Sequence, residues 1–171
     1  MKKILLTGYM ASGKTTIALL LSKAAGIAYM DLDEYIEEKA GKSIAALFAE
    51  DGEIGFRKME HEALKGILNT EEGFVLSLGG GTPCYANNHL FLQRDDVISV
   101  YLKANVQTLA IRLKDDDHKR PLLENVHPDE LEDFITKHLF DRSYFYHQAK
   151  HVVTVNDKLP EVIVNEIMSL F

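Results

Sequence analysis

The sequence lacks the features of a secreted, membrane-spanning or nucleic-acid-binding protein. Its one cysteine, Cys84, cannot build a disulfide framework, which fits a reducing cytoplasm. No apolar run approaches the ~20 residues of a membrane span, and the N-terminal "KILLT" is too short for a signal peptide and predicts a first strand. The net charge of −7 disfavours nucleic acid as a partner. We expect a cytoplasmic protein that, since no exposed apolar stripe is evident, is a monomer.

The composition is that of one globular domain. Of the 171 residues, 46% are hydrophobic and 26% are charged, which is ordinary for a soluble protein with a sizeable core. There is no internal repeat, low-complexity tract or Pro/Gly-rich linker. We therefore predict a single domain over residues 1–171.

Short apolar runs alternate with longer amphipathic segments. The predicted strands are 3–7, 27–32, 74–78, 97–102 and 151–155. The predicted helices are 14–25, 34–40, 44–49, 53–69, 87–94, 105–113, 129–147 and 160–170. The strand runs are continuous, as in strands buried on both faces. The pattern predicts an α/β fold with a parallel sheet, covered by helices on both faces, whose ligand lies at the carboxyl ends of the strands.

A phosphate-binding motif follows the first strand and opens the first helix. Gly8, Gly13, Lys14 and Thr15 match the pattern G-x-x-x-x-G-K-[ST] in full. Such a P-loop wraps a polyphosphate with backbone N–H groups, while the lysine reaches the β- and γ-phosphates and the threonine hydroxyl is a ligand for Mg²⁺. The residues expected to bind the nucleotide here are Gly8, Ala11, Ser12, Gly13, Lys14, Thr15 and Thr16. The chain lacks an N-K-x-D sequence for guanine, so ATP with Mg²⁺ is the expected cofactor.

Two carboxylates follow the second predicted strand. Asp31 and Asp33 flank Leu32, so both side chains are expected on one side of the strand end, where the phosphates lie. One carboxylate can hold Mg²⁺, directly or through water, while the other orients the acceptor or accepts its hydroxyl proton. Our hypothesis is that Asp31 serves Mg²⁺ and Asp33 serves the acceptor. The alternative is structural, with Asp33 capping the helix "EYIEEKA".

Two further motifs suit a small anionic acceptor. In "FRKME", Arg57 and Glu60 are three residues apart on one helix face, so Glu60 can hold an arginine that forks a carboxylate. In "SLGGGT", three glycines remove every side chain, so a small ligand can lie against the backbone. A surface ion pair and a flexible turn are the alternatives.

The polar, proline-containing segment after residue 113 suits a lid. Residues 114–127 are not expected to pack, and their composition is typical of a loop that closes over phosphates. Arg120 would enter the site from this lid and neutralise the transferring phosphoryl group. The three aspartates at 115–117 are expected to form a solvated loop tip, and Tyr9, within the P-loop, is expected only to pack.

Taken together, "GYMASGKTT", "DLD", "SIAALFAEDGEIGFRKMEHEAL", "LGGGTP" and "KRPLL" resemble the shikimate kinase family in content and order. The resemblance implies a P-loop fold with strand order 2-3-1-4-5. It implies transfer of the ATP γ-phosphoryl group to the 3-hydroxyl of shikimate, on the chorismate route to aromatic amino acids. The catalytic residues would be Lys14, Asp33 and Arg120.

The resemblance also implies the remaining site residues. Gly79, Gly80 and Gly81 would line the shikimate pocket, and Arg142 would be a second arginine on the shikimate carboxylate, although it could instead pair with Asp141 or Glu132. Arg112 and Lys158 are the candidates for holding adenine.

Two rival functions remain open at the level of sequence. A gluconokinase or another small-metabolite kinase of the same fold would also bind a hydroxy acid, so the arginines alone do not exclude it. A regulatory nucleotide-binding module that has lost catalysis is the alternative of another class. Retention of Lys14, Asp31, Asp33 and Arg120 together argues against that module.

Overall fold

The computed structural model describes residues 2–116 and 120–171, so Asp117 of the predicted lid lies outside the described residues. Its strands form one sheet of five, and every pairing is parallel. The strands are β1 (Lys3–Thr7), β2 (Ala28–Asp31), β3 (Phe74–Ser77), β4 (Val97–Lys103) and β5 (His151–Thr154). Their spatial order is β2-β3-β1-β4-β5. The predicted fold class and strand order are confirmed.

Burial separates the central strands from the edges. All residues of β1 and β3 are buried, whereas β2 and β5 at the edges are largely half-buried or exposed. The expectation that every strand is buried on both faces is therefore wrong for the edges, because each edge strand has a neighbour on one side only.

In the part of the chain that the structure describes, six α-helices cover both faces of the sheet. They are α1 (Lys14–Ala25), α2 (Leu32–Ala40), α3 (Ile44–Leu68), α4 (Val106–Lys114), α5 (Leu131–Tyr146) and α6 (Pro160–Met168). The predicted helices 44–49 and 53–69 run together as α3, with a break at Gly52 where φ is 68°. The predicted helix 87–94 is instead a 3₁₀ segment over Asn88–Gln93.

The strand order brings the first three strand ends together. Because β3 lies between β2 and β1, the loop after β3 is flanked by the loops that follow β2 and β1. The triple glycine therefore lies between the two aspartates and the P-loop, although these segments are far apart in the chain. Among the described residues, no helix has the length and apolar character that crossing a membrane requires.

Candidate active site

The P-loop adopts a conformation that its small residues permit. A Cβ at Gly8 would lie only 2.8 Å from both the Leu102 carbonyl oxygen and Ser12 Oγ, so only glycine fits there. Gly13 has a φ of 95° at the N-cap of α1, a left-handed conformation that glycine adopts without strain. Ser12 Oγ is buried and has no hydrogen-bond partner among the residues that the structure describes, and a bound phosphate would supply one.

The ammonium group of Lys14 is hydrogen-bonded to the backbone of the P-loop. Its Nζ donates to the carbonyl oxygens of Gly8 at 2.9 Å and Tyr9 at 3.0 Å. Burial, assisted by the charge of Arg120, lowers the pKa of Lys14 to about 8, although Asp33 and Asp31 oppose the shift. The cation is poorly stabilised here, so an anion in the loop would be favoured.

The two aspartates differ in their contacts. Asp31 caps α2, because its Oδ1 accepts from the N–H groups of Asp33 at 2.9 Å and Glu34 at 3.2 Å. The alternative in which Asp33 caps a helix at 34–40 is wrong, since α2 begins at Leu32 and its N-cap is Asp31.

Asp33 points from the first turn of α2 toward the triple glycine. A Cβ at Gly79 would lie 3.2 Å from Asp33 Oδ1. Burial, together with the charges of Asp31 and Glu60, raises the pKa of Asp33 to about 6, against the opposing effect of Lys14 and Arg57. The carboxylate thus lies among charges of both signs.

Arg57 and Glu60 form the ion pair that their spacing indicates. Arg57 Nη1 donates to Glu60 Oε1 at 2.8 Å. Glu60 is 1% exposed, and its second oxygen accepts from Thr82 Oγ1 at 2.7 Å. Because Glu60 is buried, the alternative of a surface ion pair is wrong.

The triple glycine is a backbone surface where these side chains meet. A Cβ at Gly81 would lie 2.9 Å from Arg57 Nη2 and 3.4 Å from Arg142 Nη2. A Cβ at Gly80 would lie 3.4 Å from Arg142 Nη1 and 3.7 Å from the Gly8 carbonyl oxygen. The structure therefore brings two arginines to one strip of backbone beside the P-loop.

Helix α5 supplies Arg142 and fixes its surroundings. Arg142 is 8% exposed, so it lies within the protein. One turn later, the Tyr146 hydroxyl donates to the Gly80 carbonyl oxygen at 2.6 Å. That contact holds α5 against the triple glycine, and sequence reasoning missed it.

The described residues of the predicted lid make contacts that its composition does not indicate. Arg120 donates to Asp116 Oδ2 through Nε at 3.1 Å and Nη2 at 2.8 Å. The side chain of Asp116 is only 16% exposed, so the expectation of a fully solvated tip is wrong at this residue. Leu123 and Val126 pack against the core, which corrects the expectation that the segment does not pack.

The candidate adenine residues have different partners. Arg112 Nη1 donates to the Ala11 carbonyl oxygen at 3.1 Å, which places it against the P-loop. Lys158 Nζ donates to Glu166 Oε2 at 2.6 Å and is paired within the C-terminal part of the chain. Their contact with a base stays a prediction.

A second P-loop contact was missed. Tyr9 is 1% exposed, and its hydroxyl is 2.9 Å from His138 Nδ1 on α5. The expectation that Tyr9 only packs is therefore wrong. The two residues are 129 positions apart, so no local signal in the sequence pairs them.

The donor set fits Mg²⁺ bound mainly through nucleotide phosphates. Within residues 2–116 and 120–171, no cluster of three or more His, Cys, Asp or Glu could hold a metal. Mg²⁺ keeps several waters and takes one or two protein oxygens when phosphates supply the others. The hydroxyl of Thr15, exposed at the start of α1, and the carboxylate of Asp31 match that need.

The fold and the site define a class. A phosphate-binding loop lies at the carboxyl end of a 2-3-1-4-5 sheet, beside a strip of glycine backbone that a carboxylate and two arginines approach. This arrangement is that of the P-loop kinases that act on small metabolites.

Comparison with known proteins identifies the family. The shikimate kinase family model matches residues 10–171. Shikimate kinase from Flavobacterium psychrophilum is 56% identical, over 98% of this chain and 97% of that protein. The crystal structure of shikimate kinase from Bacteroides thetaiotaomicron has a TM-score of 0.90 at 36% identity, covering 99% of this chain and 97% of the other. Shikimate kinase from Acinetobacter baumannii in complex with shikimate has a TM-score of 0.87 at 31% identity, covering 99% and 92%. The chain belongs to the shikimate kinase family.

Proposed function

We propose that the protein transfers the γ-phosphoryl group of ATP to the 3-hydroxyl of shikimate, giving ADP and shikimate 3-phosphate on the chorismate route. The observation that carries the proposal is the convergence of Asp33, Arg57 and Arg142 on the triple glycine beside the P-loop. The single carboxylate of shikimate suits the two arginines, and its hydroxyl groups suit the carboxylate of Asp33. Membership of the family supports the same reaction.

The two arginines hold the substrate carboxylate. Both guanidinium groups come within 3.4 Å of the space that a Gly81 side chain would fill. Arg57 is fixed by Glu60, and its planar fork suits bidentate binding of a carboxylate. The three glycines leave room for the ring of the substrate between these arginines and the P-loop.

Asp33 orients and deprotonates the acceptor hydroxyl. Its pKa of about 6 leaves the carboxylate ionised at pH 7.5. Because this pKa is closer to 7 than that of an ordinary aspartate, Asp33 suits the role of general base. Its carboxylate lies beside Gly79 and interacts with the charge of Lys14, so it can orient an acceptor hydroxyl toward the P-loop.

Lys14 and Arg120 stabilise charge on the transferring phosphoryl group. Lys14 exchanges its two carbonyl partners in the loop for phosphate oxygens. Arg120, carried by the lid over residues 114–127, exchanges Asp116 for the phosphoryl group when the lid closes. Both exchanges replace a resting contact by one that is stronger in the transition state.

Mg²⁺ and the adenine base complete the nucleotide site. Thr15 and Asp31 would hold Mg²⁺, which supplies charge neutralisation on the phosphates when it is bound. Arg112 and Lys158 would hold adenine. We further propose that the protein acts in the cytoplasm as a single-domain monomer.

The test is coupled ADP release with shikimate, gluconate and nucleoside monophosphates offered in parallel. Of the three acceptors, we expect only shikimate to give rapid release of ADP, and we expect Lys14→Ala to lose that activity. Faster release with gluconate, or release that does not depend on any acceptor, would overturn the proposal.

A further inference from the structure

We propose that Thr82 and Tyr85, in the turn after the triple glycine, are positioning residues that hold the Arg57 guanidinium ready for the substrate carboxylate. The inference rests on the proposed function, which gives Arg57 that carboxylate. Thr82 acts through Glu60, and Tyr85 acts on the guanidinium face itself.

The hydroxyl of Thr82 fixes the orientation of the Glu60 carboxylate that binds Arg57. The threonine is fully buried, and its hydroxyl donates to Glu60 Oε2 at 2.7 Å while Oε1 accepts from Arg57 at 2.8 Å. Each carboxylate oxygen therefore has its own donor. Without the hydroxyl, a buried oxygen would lose its partner, and Glu60 would turn or take a second bond from Arg57. Either change would move the guanidinium or occupy a donor that the substrate needs.

The turn that carries Thr82 is tied back to the helix that carries Arg57. Asn88, which is 2% exposed, donates through Nδ2 to the Thr82 carbonyl oxygen at 3.0 Å. Its Oδ1 is 2.7 Å from Nδ1 of His61, which lies one turn after Arg57 on α3. The turn and the helix are thus linked at two neighbouring residues of α3, Glu60 and His61.

Tyr85 covers one face of the guanidinium. Its ring centroid is 3.9 Å from Arg57 Cζ, closer than the rings of Phe56 at 5.3 Å and Phe48 at 5.8 Å. Stacking on the face leaves the edges of the guanidinium, where its N–H donors lie, for a carboxylate. The next two residues, Ala86 and Asn87, have left-handed φ angles of 50° and 57°. This sharp reversal presents Tyr85 to Arg57.

A purely structural role would give a different pattern of effects. If Thr82 only stabilised the core, its loss would lower the unfolding temperature and leave shikimate affinity unchanged. A positioning role predicts weaker shikimate binding at constant ADP affinity, because the P-loop is not altered.

The first experiment removes the Thr82 hydroxyl at nearly constant volume. For Thr82→Val, we expect shikimate Kd by calorimetry, and KM, to rise roughly three- to tenfold, within the range for the net contribution of an ordinary hydrogen bond. ADP Kd and kcat should stay within about twofold, and Thr82→Ser should restore wild-type values. The matched control is Ser99→Ala, which removes another buried hydroxyl, one that donates to the Leu92 carbonyl oxygen, and should lower stability without changing shikimate Kd.

The second experiment tests the stacked ring at a half-buried residue. Tyr85→Leu should raise shikimate Kd roughly two- to fivefold, the range of a cation–π contact, whereas Tyr85→Phe keeps the ring and should match the wild type. This arm remains informative even if Thr82→Val does not fold.

Coupling decides whether both residues act through Arg57. In an Arg57→Lys background, neither Thr82→Val nor Tyr85→Leu should weaken shikimate binding further. Additive losses, or wild-type shikimate Kd in both single variants, would overturn the inference while leaving the proposed function intact. Failure of the wild-type protein to bind shikimate would overturn the proposed function, and this inference with it.

Discussion

The charge on Asp33 should make the ligand-free protein less stable at neutral pH. Burial and neighbouring carboxylates raise the pKa of Asp33 from 3.8 to about 6. Each pKa unit corresponds to 1.36 kcal/mol, so this difference changes the free energy of unfolding by about 3 kcal/mol at most. Because the folded-state pKa is the higher one, the contribution to stability is present below pH 3.8 and is lost as pH rises through about 6.

Asp33→Asn removes that titration while keeping the shape of the side chain. We expect the variant to be more stable than the wild type by about 1–3 kcal/mol at pH 7.5 and equal to it near pH 3.8. A gain of this size raises the unfolding temperature by roughly 2–4 °C per kcal/mol in a chain of this length. The assay is denaturant unfolding of the ligand-free protein at both pH values. Asp95→Asn, at an exposed carboxylate, is the control and should change stability at neither pH.

The same variant separates stability from turnover. Its kcat should collapse, because an amide cannot take the proton from the acceptor hydroxyl. If Asp33→Asn instead destabilised the protein at pH 7.5, the attraction of Lys14 and Arg57 would outweigh desolvation, and our account of the raised pKa would be refuted.

The remaining predictions concern four other residues. Lys14→Ala should lower kcat more than tenfold in the coupled assay and leave the fold intact by circular dichroism; a loss below about 1.4 kcal/mol would contradict its role. Arg120→Ala should lower kcat on the order of 10³-fold with shikimate Kd unchanged; if shikimate binding weakened as much as turnover, Arg120 would instead belong with the arginines that hold the shikimate carboxylate. Arg57→Lys should raise shikimate Kd roughly 10- to 150-fold by calorimetry, whereas the Kd of an ATP analogue should change by no more than a few-fold. Gly81→Ala should weaken shikimate but not ADP, because its Cβ would lie 2.9 Å from Arg57 Nη2; unchanged binding would show that the pocket adapts.

The sequence predicts the frame of the site well, because its signals are local. The bounds predicted for β1 and α1 agree with the structure, since "KILLT" is one apolar run and the P-loop marks where the helix begins. The start of α2 was placed two residues late. Either aspartate of "DLD" could cap the helix, and the sequence alone does not show which one precedes its first residue.

The missed contacts connect residues that are distant in the chain. The Thr82 hydroxyl reaches Glu60 across 22 residues, and the Tyr146 hydroxyl reaches Gly80 across 66. Neither pairing has a periodic signature, since each depends on how β3 and α5 pack. The bond between Asp116 and Arg120 is different, because their spacing of four residues was visible. It was missed since the segment was interpreted as a solvated loop.

The charges of the site fall into two groups, and each substrate is expected to interact with one of them. Lys14 holds a charge that burial disfavours, and its pKa falls to about 8, while Asp33 holds the opposite charge at a raised pKa. In the proposed function, a triphosphate would bring negative charge to Lys14 and Arg120, and an acceptor carboxylate would bring it to Arg57 and Arg142. Each ligand would then neutralise positive charge in its own half of the site, and binding to the folded state alone would stabilise the protein.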